Sequence, residues 1–185
     1  MILPIVAYGD AVLRKKGEPI TADYPGLQQL IDDMLETMDR SRGVGLAAPQ
    51  IGRAIQLFVI DSTKMFDEDE ENTGIREVFI NSVILEETGE EWAYEEGCLS
   101  IPGIREDVMR KPALTIEYFD RNFKKQKRSV DDMTARVIQH EFDHTIGKLF
   151  IDHIKPLRRS LLKSKLDKIS KGDVDVSYKM KFPKK

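Results

Sequence analysis

The sequence predicts a chain of mixed helix and hairpin-forming strand, and three observations carry that prediction. Apolar residues recur at helical spacing over Leu27, Leu30, Ile31, Met34, Leu35 and Met38, the pattern of a helix with one face in a core. Between residues 54 and 130, runs rich in branched and aromatic residues alternate with turn-forming stretches. A second helical pattern surrounds Gln139-His140-Glu141-Phe142-Asp143-His144, with Val137, Ile138, Phe142 and Ile146 as its apolar positions.

The bulk properties set the frame for these elements. The chain has 185 residues, 41% hydrophobic and 33% charged, ordinary for a soluble globular protein and enough for one real core. We expect one domain over residues 1–185, with a basic helix and tail from about 155. The opening Met1-Ile2-Leu3-Pro4-Ile5-Val6 is too short and lacks the basic lead of a signal peptide, and no stretch approaches a membrane span. A single cysteine forms no internal disulfide, so a cytoplasmic address is expected. Neither a membrane nor DNA is an expected partner.

In chain order, residues 7–20 read as irregular, with Gly9, Gly17 and Pro19. The first helix is expected to start near Asp23-Tyr24-Pro25, with aspartate as cap and proline in the first turn. Gly43-Val44-Gly45-Leu46-Ala47-Ala48-Pro49-Gln50 reads as a close-packed loop where a ligand approaches the backbone. It lacks the Gly-Lys-Ser/Thr ending of a phosphate loop. Gln50 is a candidate donor to a developing oxyanion. Residues 54–61 and 77–87 read as buried strands, and the acidic run 67–72 between them as a solvated loop. Segments 113–120 and 123–130 read as paired strands around Asp120-Arg121-Asn122, after which Asp131 caps the histidine-bearing helix. Beyond residue 154 the charge inverts. That tail carries 11 Lys and Arg against three Asp, a net of +8 on a body of −11. Leu157, Leu161, Leu162, Leu166 and Ile169 form an apolar stripe there. Arg158, Arg159, Lys163, Lys165 and Lys168 occupy the other faces, a basic arm suited to a polyanion such as RNA.

The chemistry concentrates at His140 and His144. Four residues apart on a helix, they share one face and reach a single ion, while Glu141 stands beside them to take a proton from water the ion activates. The chain has only three histidines, and two of them fall here. A catalytic site of this kind takes a third protein ligand. Phe150 occupies the place of the third histidine in the longer H-E-x-x-H-x-x-G-x-x-H pattern, and no glutamate follows Glu141. Downstream candidates are Asp152 and His153, although His153 would lie on the opposite face of a continued helix. Upstream stands Cys98, in Glu96-Gly97-Cys98-Leu99-Ser100, a thiolate suited to zinc or iron, with a glycine before it that lets the backbone come close. Elimination favours Cys98. Two rival readings remain: an endopeptidase with Asp152 or His153 as third ligand, and a closed structural site of Cys98, His140, His144 and His153.

Three segments together resemble one family, the peptide deformylases. Residues 43–50 are similar to its G-x-G-L-A-A-x-Q motif, residues 96–100 to E-G-C-L-S, and residues 139–144 to Q-H-E-x-D-H. The motifs fall in the family's order over about 100 of 185 residues, and Gly9 to Arg14 also looks like the family. Thr145 departs from the leucine common after the last histidine. The stretch Cys98 to Pro102 and a C-terminal helix look like the bacterial type I form. The resemblance implies an α+β fold, with antiparallel β-sheets wrapped around a central metal-binding HExxH helix and a C-terminal helix outside. It implies removal of the formyl group from the N-terminal formylmethionine of new polypeptides, releasing formate. The metal ligands it implies are Cys98, His140 and His144, with Fe(II) as the usual ion and Zn, Ni or Co able to replace it. Glu141, Gln50 and the backbone N–H of Leu99 would carry the catalysis. Val44, Gly45, Glu96 and Gly97 would meet the substrate, and the basic tail would meet the ribosome.

Overall fold

The computed structural model describes residues 1–67 and 73–183. The acidic run read as a solvated loop lies, apart from Asp67, outside the described residues. The centre of the fold is an antiparallel sheet of five strands: β2 (Gly45–Ala47), β3 (Leu57–Asp61), β4 (Arg76–Thr88), β7 (Ala113–Phe119) and β8 (Lys125–Asp131), in the order β2-β3-β4-β7-β8. Strand β3 explains why both faces are covered. All five of its residues are buried, and alternate side chains point to opposite faces. Leu57 and Val59 join the cluster around helix α1 (Leu27–Arg40), whereas Phe58 and Ile60 join that around helix α2 (Asp132–Thr145). On the α2 side, Phe79 stacks on Phe58 at 4.7 Å and meets Tyr118 at 4.2 Å. These aromatic contacts form a rigid bed for the helix that carries the histidines.

On its other side α2 meets a hairpin of β5 (Trp92–Cys98) and β6 (Ile101–Arg110), which turns through Leu99 and Ser100 with a register shift at Gly97 and Cys98. The Arg136 guanidinium, on α2, donates to the carbonyls of Val108 and Trp92 at 2.9 and 2.8 Å, pinning the hairpin to the helix. A third cluster lies under the hairpin, where Ile101, Ile104 and Val108 pack with Phe150, Leu162, Leu166 and Ile169. The chain ends meet in a short parallel pair, β1 (Ile5–Val6) with β9 (Met180–Lys181). The α+β expectation holds, with this parallel pair as an addition. Among the described residues, no helix is long and apolar enough to cross a membrane.

Four local expectations change. Helix α1 begins at Leu27, not near Asp23, because Gly26 takes the cap position in the left-handed region (φ 70°) and makes the turn that a side-chain cap would otherwise direct. The stretch 43–50 is not a loop throughout: it enters the sheet as β2 and continues as a 3-10 turn over Ala48–Ile51. Asp131 does occupy the cap position of α2, but its side chain makes no capping bond. The tail helix is two helices, α3 (Pro156–Leu161) and α4 (Lys163–Ser170), broken at Leu162. The break splits the leucine stripe. Leu162, Leu166 and Ile169 are buried, whereas Leu157 and Leu161 stand 76% and 66% exposed.

Candidate metal centre and active site

Helix α2 and the β5–β6 hairpin bring three donors together. The ligand-type atoms of Cys98, His140 and His144 all lie within 4.8 Å of one another, and Cys98 Sγ is 3.4 Å from His144 Nε2. The histidines are one helical turn apart with ring centroids at 5.2 Å, as their spacing requires. Burial, followed by the neighbouring His140, pushes the His144 pKa well below its usual value, which keeps the ring neutral as a ligand must be. One thiol and two buried imidazoles, converging from two elements, fit a late first-row divalent ion. The downstream candidates are engaged elsewhere. Asp152 pairs with Arg14 and accepts the N–H of Leu149 at 2.9 Å, while His153 Nε2 is 2.7 Å from Asp143 Oδ2. Both rival ligand sets therefore lose their geometry: Cys98 stands where the endopeptidase set would need Asp152 or His153, and the closed four-ligand set lacks its fourth member because His153 is committed to Asp143.

Behind His140 lies a buried network that sequence reasoning missed. His140 Nδ1 is 3.0 Å from Glu96 Oε2, which orients the ring and leaves Nε2 to face the cluster. Glu96 accepts in turn from Arg110 at 2.7 and 3.1 Å and from Arg136 at 2.9 Å, and Arg110 reaches Asp143 at 2.9 Å. Burial alone would raise the Glu96 pKa, but His140 and Arg110 outweigh it and hold the carboxyl well below the usual range. Desolvating so many charges is tolerable only because each is paired. The signal was present at Arg136, a charged residue within Met133-Thr134-Ala135-Arg136-Val137-Ile138, but Arg110 stands among other charged residues, and sequence alone names no partner for either.

Glu141 is in a different state. It is buried, its Oε2 has no partner among the described residues, and burial pushes its pKa up to about 7. Gly45 makes the room for it. A β-carbon at Gly45 would lie 2.6 Å from Glu141 Cγ, closer than real contacts allow, so glycine is needed here for the acid as well as for any ligand. Gln50 is anchored by the N–H of Ala47 on its Oε1 at 2.8 Å, and its Nε2 lies 3.5 Å from Cys98 Sγ and 3.4 Å from Ser100 Oγ. Val44, Gly45, Gln50, Glu96, Gly97, Cys98 and Leu99 all border one cavity of ≈ 620 Å³, which His140 and Glu141 also line. The arrangement is an acid of near-neutral pKa, amide donors and a three-donor metal cluster, gathered in one cleft. Hydrolysis of a carbonyl compound needs those parts.

The family model for polypeptide deformylase matches residues 2–160. The chain belongs to the polypeptide deformylase family. It is 53% identical to the peptide deformylase of Christiangramia forsetii, covering 99% of this chain and 97% of that one. With the peptide deformylase of Cytophaga hutchinsonii it is 55% identical, over 99% and 98%. Among solved structures, a peptide deformylase from Legionella pneumophila superposes with a TM-score of 0.81 at 40% identity, covering 94% of this chain and 98% of that one. Polypeptide deformylases are metal-dependent enzymes, and the donor cluster of this chain suits that chemistry.

Proposed function

We propose that this chain removes the N-formyl group from the N-terminal formylmethionine of new polypeptides, releasing formate, with Cys98, His140 and His144 holding one divalent ion. The convergence of those three donors beside Glu141 carries the reading, together with membership of the family. We propose Fe(II) as the native ion, with Zn, Ni or Co able to take its place, and the cytoplasm as the site of action. An ion held by Cys98, His140 and His144 would supply Lewis-acid chemistry, lowering the pKa of water and polarising a carbonyl. Glu141, ionised, takes a proton from the attacking water and later passes one to the departing amine. Gln50 and the backbone N–H of Leu99 receive the negative charge of the tetrahedral intermediate. Val44, Gly45 and Gly97 border the substrate. Glu96 also lines the cavity, and its carboxylate, committed to His140, Arg110 and Arg136, orients a metal ligand as well. The basic tail is proposed to meet ribosomal RNA.

The test is formate release from a formyl-Met peptide by protein purified without oxygen, with metal content measured on the same sample. Cys98→Ser should lose metal affinity sharply, because a neutral hydroxyl replaces a thiolate. A Cys98→Ser protein that keeps its metal at unchanged affinity would sink the ligand set.

A further inference from the structure

The C-terminal segment forms one wall of the active-site cavity, although it lies outside the stretch that the family model matches. Asp175, Val176, Ser177 and Tyr178 line the same ≈ 620 Å³ cavity as Cys98, His140 and Glu141, and the matched residues end at 160. The segment is held at both ends. Asp173 N–H donates to the carbonyl of Lys168 at 3.0 Å, and past Tyr178 the carbonyls of Lys179 and Lys181 accept from Ile5 and Ala7 at 2.8 Å. Val174, Met180 and Phe182 pack on the cluster containing Ile101 and Ile104. The hydroxyl of Tyr178 donates to the carbonyl of Leu99 at 2.8 Å, fastening the wall to the turn that follows the ligand Cys98. From the other side the same turn is held by Tyr8 N–H on the carbonyl of Ser100 at 2.8 Å. Between the anchors, Val174 to Ser177 form no hydrogen bond with any described residue. An anchored segment with unpaired backbone N–H and C=O groups, facing a cleft, is suited to hold a peptide main chain.

We propose that Asp175 to Tyr178, latched by the Tyr178–Leu99 bond, bind the residues of the polypeptide that follow its N-terminal methionine. This rests on the deformylase reading of the site. The methionine and its formyl group reach the metal donors that line the cavity, and Asp175 to Tyr178 line the same cavity, so the continuing chain passes beside this wall. Leu99 belongs to the ligand turn, and the latch couples the wall to that turn through a single hydroxyl. Tyr178 is therefore a positioning residue for the wall.

The test compares formyl-Met-Ala with formyl-Met-Ala-Ser-Ala on metal-loaded protein. Wild type should favour the longer substrate in kcat/KM. Tyr178→Phe should shrink that preference about three- to tenfold, the worth of one hydrogen bond, through a higher KM for the longer peptide. An equal loss on both substrates, or an unchanged preference, overturns the proposal. A wild type that releases formate from neither substrate instead overturns the deformylase reading. A second measurement needs no variant: hydrogen exchange at Val176 to Tyr178 in the metal-loaded wild type. Saturating Met-Ala-Ser-Ala should slow it relative to Met-Ala, and equal exchange with the two peptides also overturns the proposal.

Discussion

At the residue scale, the site turns on two carboxylates that burial treats in opposite ways. Glu96 is surrounded by cationic partners and stays ionised, whereas Glu141 has none in contact among the described residues and burial pushes it up to about 7. Proton transfer needs the second kind, a group able to accept and release near working pH. Glu141→Ala should leave the metal bound, since base and ligands are separate groups. It should lower kcat by about 10²–10⁴-fold, the usual contribution of a general base. Because the base acts ionised, wild-type kcat/KM should fall as pH drops through a value at or below 7, the charge of a bound ion acting to lower it further. Full turnover in metal-loaded Glu141→Ala protein, measured as formate release, would remove Glu141 from the mechanism. The pairing of His140 with His144 was legible from their spacing alone. The need for glycine at position 45 was only half legible, because the side chain it accommodates comes from α2, almost 100 residues later in the chain.

At the element scale, the hairpin β5–β6 was the part that sequence hid. Along β6, Ile104, Glu106, Val108 and Arg110 are buried and the residues between them exposed. The period is that of a strand, but half of its inward positions are charged, so the apolar alternation never shows. Those charges are neutralised across the fold, Glu106 by Arg158 at 2.7 Å and Arg110 by Glu96. Helix α1 and strands β3, β7 and β8 were legible because their patterns are local and need no partner. Glu96 is where the hairpin acts on the metal helix, and Glu96→Gln should weaken metal binding by about 10–100-fold, as loss of a carboxylate behind a ligating histidine typically does. The same change should alter acid stability. The folded Glu96 pKa is depressed, so its contribution is complete above the ordinary carboxylate pKa of about 4.3 and is lost as pH falls below it toward the folded value. The unfolding free energy of Glu96→Gln should therefore depend less on pH below about 4.3 than that of wild type, as read by denaturant titration. Equal slopes for the two proteins, with unchanged metal affinity, would show that the network does not support His140.

At the scale of the whole molecule, charge is segregated, and the tail does not present it as its sequence suggests. Two of the five tail cations expected to face a polyanion are drawn back to the body. Arg158 donates to Glu106 at 2.7 Å, and Arg159 pairs with Asp152 at 3.3 Å. Lys163 and Lys165, on α4, form no ion pair among the described residues. The break at Leu162 also leaves Leu157 and Leu161 exposed beside them, so α3 and α4 together offer a surface both basic and apolar. On the proposed ribosomal role, a body of net −11 would be repelled by RNA phosphate and the +8 tail would supply the counter-charge. Binding through lysines to phosphate releases counterions, so its affinity falls with salt at a slope set by the number of contacts. Lys163→Glu with Lys165→Glu should therefore weaken co-sedimentation with ribosomes and flatten its salt dependence. Arg158→Glu should act less on binding, because its partner is Glu106. Deformylation of a free formyl-Met dipeptide should change little in the lysine variant, since neither lysine borders the cavity. Co-sedimentation of the double variant at wild-type level and with the wild-type salt slope would leave α4 as a solvated face with no part in reaching the nascent chain.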